Sequence, residues 1–88
     1  MIRKTLHFFG NVQGVGFRYT TRSVANGFTV AGSVRNLRNG SVELVVEGNA
    51  IEIDRFLDAL RERMGGHIDR EEVAEGPAMG TFSGFDIR

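Results

Sequence analysis

Val34-Arg35-Asn36-Leu37-Arg38-Asn39-Gly40-Ser41-Val42-Glu43-Leu44 joins two period-two patterns through a turn. Before the turn, Phe28, Val30 and Val34 alternate with Thr29, Ala31, Ser33 and Arg35. After it, Val42, Leu44 and Val46 alternate with Ser41, Glu43 and Glu47. Such alternation marks strands that bury one face, and Asn39-Gly40 between them is a hairpin signal. Loop length then decides which faces meet. A two-residue loop sets Val34 against Val45 and puts the apolar sets on opposite faces. A three-residue loop, Arg38-Asn39-Gly40, sets Val34 against Leu44 and Asn36 against Val42, so both apolar sets share a face. The second is expected, a type I turn with Gly40 as its left-handed bulge residue.

Outward from the hairpin, Ile2 to Phe9 is rich in strand formers and ends at Gly10. Downstream, Ile53, Leu57, Leu60 and Met64 fall at helical spacing, with Ile51, Phe56 and Ala59 widening the stripe. This predicts a helix from Ala50 to Met64, capped by Asn49, with Glu52 at the capping-box position and Gly65-Gly66 as its stop. Phe17 to Asn26 is read as a second helix that stops at Asn26-Gly27, although Thr20, Thr21, Ser23 and Val24 are weak helix formers and also fit a strand. Thr81 to Arg88 reads as a final strand with Phe85 and Ile87 inward. His67 to Ala74, mostly charged, belongs at a sheet edge if it is a strand. The order is strand, helix, strand, strand, helix, then one or two strands. It implies an α+β sandwich, an antiparallel sheet covered on one face by two helices, in one domain over residues 1–88.

Composition narrows the function classes. At 88 residues, 41% hydrophobic and 25% charged, with no cysteine, the chain suits one globular core without disulfides, thiolate metal sites or a thiol nucleophile. No apolar run approaches the ~18 residues of a membrane helix, and the N-terminal run is too short for a signal-peptide core. A cytoplasmic protein is expected, with no membrane partner. Net charge is zero, but its distribution is uneven. Residues 1–42 hold Arg3, Lys4, Arg18, Arg22, Arg35 and Arg38 and no acid, while residues 43–88 hold eleven acids against five arginines. The halves carry +6 and −6, which in one folded domain suggests a local positive patch able to focus a small anion.

The segment between the first strand and the first helix fits that anion. Gly10-Asn11-Val12-Gln13-Gly14-Val15-Gly16-Phe17-Arg18 places three glycines in seven residues, then an arginine. Main-chain amides of such a loop can turn inward on an anion, reinforced by the N-terminus of the following helix. The guanidinium fork matches phosphate oxygens. Glycine spacing alone favours an ordinary tight turn followed by a surface arginine, because glycine-rich strand–helix loops are common, and it is neither a Walker A sequence nor a dinucleotide fingerprint.

The same stretch resembles the first signature of the acylphosphatase family, G-x-V-Q-G-V-x-F-R. Gly32-Ser33-Val34-Arg35-Asn36, followed by Gly40, Val42 and Gly48, is similar to its second signature, and Phe85-Asp86-Ile87-Arg88 resembles its last strand. The likeness spans essentially the whole chain. It implies a ferredoxin-like sandwich that hydrolyses the carboxyl–phosphate bond of acyl phosphates without metal or cofactor. By position, Arg18 corresponds to the phosphate-binding arginine and Asn36 to the asparagine that positions water. The cradle spans Gln13, Gly14, Val15, Gly16, Phe17 and Arg18. The resemblance also favours the helical reading of Phe17 to Asn26. Ser33 stands where the family usually has an aromatic residue, which removes packing from one sheet face.

Other classes find less support. His7 and His67 have no metal-ligand spacing, so His7 is expected to be structural and His67 exposed. Gln13 to Phe17 superficially matches an RNA-binding motif but lacks its leading base and first aromatic, so no nucleic-acid partner is expected. Small acyl phosphates and inorganic phosphate are the expected partners, and a monomer the expected state. A non-catalytic phosphate or acyl-phosphate sensor on the same fold is the alternative.

Overall fold

The computed structural model describes residues 1–88 as β1 (Ile2–Gly10), α1 (Phe17–Ala25), β2 (Val30–Asn36), β3 (Val42–Gly48), α2 (Ala50–Met64), β4 (Ile68–Pro77) and β5 (Phe85–Ile87). The β2–β3 hairpin takes the expected register, with Val34 opposite Leu44 and Asn36 opposite Val42. Leu37 N–H donates to Ser41 O at 2.9 Å and Gly40 N–H to Leu37 O at 3.1 Å, which leaves Arg38-Asn39-Gly40 as the loop. Gly40 has φ 89°, the left-handed conformation of a bulge glycine. Asn39 Oδ1 accepts from the Ser41 main-chain N–H at 3.0 Å and also from its hydroxyl, locking the turn.

The strands form one sheet in the order β4-β1-β3-β2-β5. In β1, β2 and β3 the even-numbered residues face the helices, and in β5 Phe85 and Ile87 do. Leu6, Phe8, Val34, Val42, Leu44 and Val46 are buried there against Phe17 and Val24 of α1 and Ile53, Phe56, Leu57 and Leu60 of α2. In α1, buried Phe17, Thr21, Val24 and Ala25 fall at helical spacing. The Thr21 hydroxyl donates to Phe17 O at 2.8 Å, so a weak helix former sits in the core without an unpaired polar group. The ferredoxin-like order and the two helices on one face agree with the sequence, as does β4 at an edge.

Several details differ from expectation. The sheet is mixed, because β5 runs parallel to β2, with Gly32 opposite Phe85 and Val34 opposite Ile87. β4 lies antiparallel to β1 and therefore to β2, and residues 78–84 cross the outer face of the sheet and reverse the chain once more. That crossing shortens the final strand to Phe85–Ile87. Asn49 makes no side-chain cap, and Glu52 instead accepts the Thr29 main-chain N–H at 2.8 Å, tying α2 to the start of β2, which begins at Val30 rather than Phe28. Ile51 is 68% exposed, outside the α2 stripe, and His67 is half-buried in the 3-10 turn Gly65–His67.

On the outer face, charge pairs across strands replace apolar packing. His7, Glu43 and Arg35 stand side by side on β1, β3 and β2, with His7 Nε2 3.1 Å and Arg35 Nε 2.8 Å from the Glu43 carboxylate. Burial would push the Glu43 carboxyl up, but hydrogen bonds from Arg35 and then His7, with their charges, hold it below its ordinary value. Ser33 on this face is only 5% exposed. Thr81, Phe82 and Arg88 border the hollow above it, and the Phe82 ring has the Arg3 and Arg88 guanidinium groups 5.3 and 5.5 Å from its centroid. The returning segment therefore brings an aromatic residue of its own to the face that Ser33 leaves thin.

Candidate active site

Strand direction assembles the site. β1 and β2 both pair antiparallel with β3, so they run parallel to each other and end at the same edge of the sandwich. β5, parallel to β2, ends there too. The segment after β1, the last residue of β2 and the end of β5 are thus neighbours, although sequence separates them widely. They enclose a cavity of about 200 Å³ lined by Val12, Gly14, Gly16, Phe17, Arg18, Tyr19, Asn36 and Ile87.

The segment joining β1 to α1 holds its shape through backbone conformation and two anchors. Gly14 and Gly16 have φ 79° and 77°, where an L side chain would be strained although space is open around both. Val12 and Phe17 are buried, and the Phe17 ring packs 5.1 Å from that of Phe8. Gln13 supplies a third tie. Its Nε2 donates to Leu37 O at 2.8 Å and to Ser41 O at 2.9 Å, bracing the segment against the β2–β3 connection that follows Asn36. Gln13 and Val15 do not line the cavity, whereas Gly14, Gly16, Phe17 and Arg18 do.

Gly16 precedes α1 without a side-chain cap, and Thr20 N–H makes the first helical bond, to Gly16 O at 2.9 Å. The amides of Phe17, Arg18 and Tyr19 thus have no acceptor within the helix, and no acid stands in its first turn. Arg18 is half-buried, and its Nη1 donates to the main-chain oxygen of Arg88 at 3.2 Å. Asn36 is exposed at the cavity's other side. Charge follows the same division. Of the six bases in the acid-free first half, Arg3 pairs with Glu47, Lys4 with Asp54 and Glu75, and Arg35 with Glu43. Arg18, Arg22 and Arg38 have no carboxylate partner. The positive excess of the first half therefore resolves into three guanidinium groups without an Asp or Glu partner, one of them in the cavity.

No three His, Asp or Glu side chains come together as a metal-binding group, and no helix is long and apolar enough to cross a membrane. The Gln13 brace was not legible in the sequence, because its acceptors are main-chain carbonyls. Tyr19, beside Arg18, and Ile87 are cavity residues that motif reading passed over, although their places next to Arg18 and on the last strand could have flagged them.

Comparison with known proteins adds a second line of support. The family model "Acylphosphatase" matches residues 4–87. The chain is 40% identical over 87 residues to the acylphosphatase of Paenarthrobacter aurescens, covering 98% of this chain and 93% of that one. It is 36% identical over 88 residues to the acylphosphatase of Archaeoglobus fulgidus, covering 100% of this chain and 84% of that one. The crystal structure of acylphosphatase from Bacillus subtilis superposes with a TM-score of 0.88 at 28% identity, over 100% of this chain and 99% of that one.

Proposed function

The chain belongs to the acylphosphatase family and hydrolyses the carboxyl–phosphate bond of acyl phosphates, and we propose that Arg18, Asn36 and the main-chain amides between Gln13 and Arg18 carry out that reaction. The observation behind the assignment is that Arg18, free of any carboxylate, lines one cavity with Asn36 and with a helix start whose amides lack partners.

Phosphoryl transfer is catalysed mainly by positioning and by stabilising charge on the phosphoryl oxygens. The amides and the Arg18 fork hold those oxygens as charge redistributes. Asn36 offers one acceptor and one donor group to a water and sets it in line with phosphorus. The bond from the water oxygen to phosphorus forms while the bond from phosphorus to the acyl oxygen breaks. The water proton passes to a phosphoryl oxygen, since neither a guanidinium nor an amide serves as base. The leaving carboxylate takes the bonding pair and departs without protonation, so the site needs no general acid. An alkoxide leaving group would need one, and alkyl phosphate esters are therefore poor substrates.

The enzyme acts on small acyl phosphates as a cytoplasmic monomer, without metal, membrane or nucleic acid. Benzoyl phosphate hydrolysis in EDTA, with an alkyl phosphate ester in parallel, tests this reading. Turnover of the acyl phosphate alone is expected, with Arg18→Gln abolishing it and Asn36→Ala lowering kcat by roughly a hundredfold. Full turnover by Asn36→Ala would remove the water-positioning role. Phosphate binding without turnover by folded protein would make this chain a sensor. Gel filtration at micromolar concentration tests the monomer.

A further inference from the structure

The phosphoryl cradle leaves the acyl half of the substrate without a binding surface, and the cavity walls restrict where it can lie. Val12 and Phe17 are buried. The β5 side carries Ile87 and is bridged by the hydrogen bond from Arg18 Nη1 to Arg88 O. Tyr19 differs from these walls, being 67% exposed. It also borders a second hollow, of about 100 Å³, formed with Arg22, Ser23 and Asn26 on the exposed side of α1. The larger hollows, of about 540, 630 and 480 Å³, share no residue with the cavity. The Arg22 guanidinium lies 5.7 Å from the Tyr19 ring centroid and has no carboxylate partner.

We propose that Tyr19 and the hollow it shares with Arg22, Ser23 and Asn26 form the acyl subsite, and that it selects acyl phosphates with a planar, aromatic acyl group. The inference rests on the phosphoryl group sitting in the cradle at Arg18. A phosphoryl group held by the first turn of α1 has Tyr19 as its neighbour in that same turn, and an acyl group leaving the cavity past this residue meets a ring. An aromatic acyl group packs on it by offset stacking. The hollow, about 100 Å³ and open to solvent, leaves room beside the Tyr19 ring for the acyl group. Arg22 against the tyrosine ring holds it in place. Tyr19 therefore stacks on the acyl group in ground state and transition state alike, so its contribution falls on KM rather than kcat. An acetyl group has no ring to stack and gains little.

Steady-state kinetics with benzoyl phosphate and acetyl phosphate test this in the native enzyme, Tyr19→Ala, Tyr19→Phe, Arg22→Met and Arg18→Gln, with inhibition by inorganic phosphate measured for each. Tyr19→Ala is expected to raise KM for benzoyl phosphate roughly tenfold with little change in kcat, collapsing the preference for benzoyl over acetyl by the same factor. Tyr19→Phe retains the preference, and Arg22→Met loses part of it. The inhibition constant of phosphate moves by less than about twofold in all three, because the phosphoryl end is untouched. Equal losses on both substrates, or a weakened phosphate constant, would show that Tyr19 supports the cradle and would overturn the proposal. An unchanged preference in Tyr19→Ala would overturn it as well. Survival of both activities in Arg18→Gln would mean that the cradle itself is misplaced, and the acyl subsite falls with it.

Discussion

Two connections in this chain set main-chain amides beside an arginine, and they differ in the source of the anion. Between β4 and β5, Met79 and Gly80 donate to the two Glu47 carboxylate oxygens at 2.9 and 3.0 Å, while Arg3 Nε stands 2.6 Å from Oε2. Between β1 and α1, the amides of Phe17, Arg18 and Tyr19 stand beside the Arg18 guanidinium with no carboxylate present. The first arrangement is complete within the chain and fastens a crossing segment to the sheet. In the second, Arg18 Nη1 reaches the Arg88 main-chain oxygen at 3.2 Å, but no Asp or Glu carboxylate meets the donors, and the nearest source of an anion for the amides is solution. The acid-free stretch from Met1 to Val42 keeps it so, since no neighbour along that stretch can fold back as a competing carboxylate. Strand order does the rest. Glu47 is paired with Arg3 across β3 and β1, near the end of the sheet opposite the cavity.

The largest effect separating the two should come from exchanging Arg18 for lysine. A point charge replaces a planar fork, so attraction for a phosphoryl group persists while two-oxygen contact is lost. Arg18→Lys is expected to lower kcat/KM for benzoyl phosphate by about a hundredfold or more, while the thermal midpoint stays near the native one. Arg3→Lys should show the reverse, near-native turnover with a lower midpoint. If Arg18→Lys kept native turnover, charge alone would suffice at the cavity and the likeness between the two arrangements would be superficial.

A smaller effect should follow from releasing the brace beside the cavity. Gln13 reaches two carbonyls, Leu37 O and Ser41 O, and so ties the cradle to the turn after Asn36. Gln13→Ala removes both side-chain bonds while Leu37 O and Ser41 O each keep a main-chain donor, so the loss is about 1 kcal/mol in chemical denaturation. Asn36 and the cradle then lose their fixed separation, and kcat should fall by roughly tenfold with benzoyl and acetyl phosphate alike. A stability loss with unchanged kcat would show that the two sides of the cavity hold their positions independently.

How far these features could be read beforehand depended on whether their partners had a sequence pattern. The hairpin register was legible because Val34, Val42 and Leu44 tolerate a single pairing that keeps them on one face. The span of α2 was legible because Ile53, Leu57, Leu60 and Met64 repeat at one period and Gly65 follows. Its cap was misread because Glu52 found a distant donor, the Thr29 N–H, which a local capping rule does not see. The parallel β5 was hidden for a similar reason. Thr81 to Arg88 looks like one strand, and only the position of β4 on the far edge of the sheet shows that its first half must cross the outer face. Arg18, Asn36 and the cradle were singled out by the order of their motifs. Tyr19 and the Gln13 brace depend on a cavity and on carbonyls, neither of which leaves a trace in residue type.

The filled arrangement should also respond to acid. Hydrogen bonds from the Met79 amide first, then Arg3 and the Gly80 amide, hold the Glu47 carboxyl below its ordinary 4.5 against the opposing effect of burial. A carboxyl whose folded value is depressed stabilises the fold above its unfolded value, and that contribution is lost as pH falls through the folded one. Glu47→Gln removes the charge while keeping an oxygen for one amide. Its thermal midpoint should lie below the native one at pH 7, and the gap should narrow once the pH drops under 4.5. Glu43, also depressed, is present in both proteins and cancels from the comparison. Turnover of benzoyl phosphate at pH 7 should stay near native, since Glu47 does not border the cavity. A gap that stayed constant down to pH 3 would mean that Glu47 acts there through shape rather than charge, and the carboxylate would no longer stand as the internal counterpart of a bound phosphoryl group.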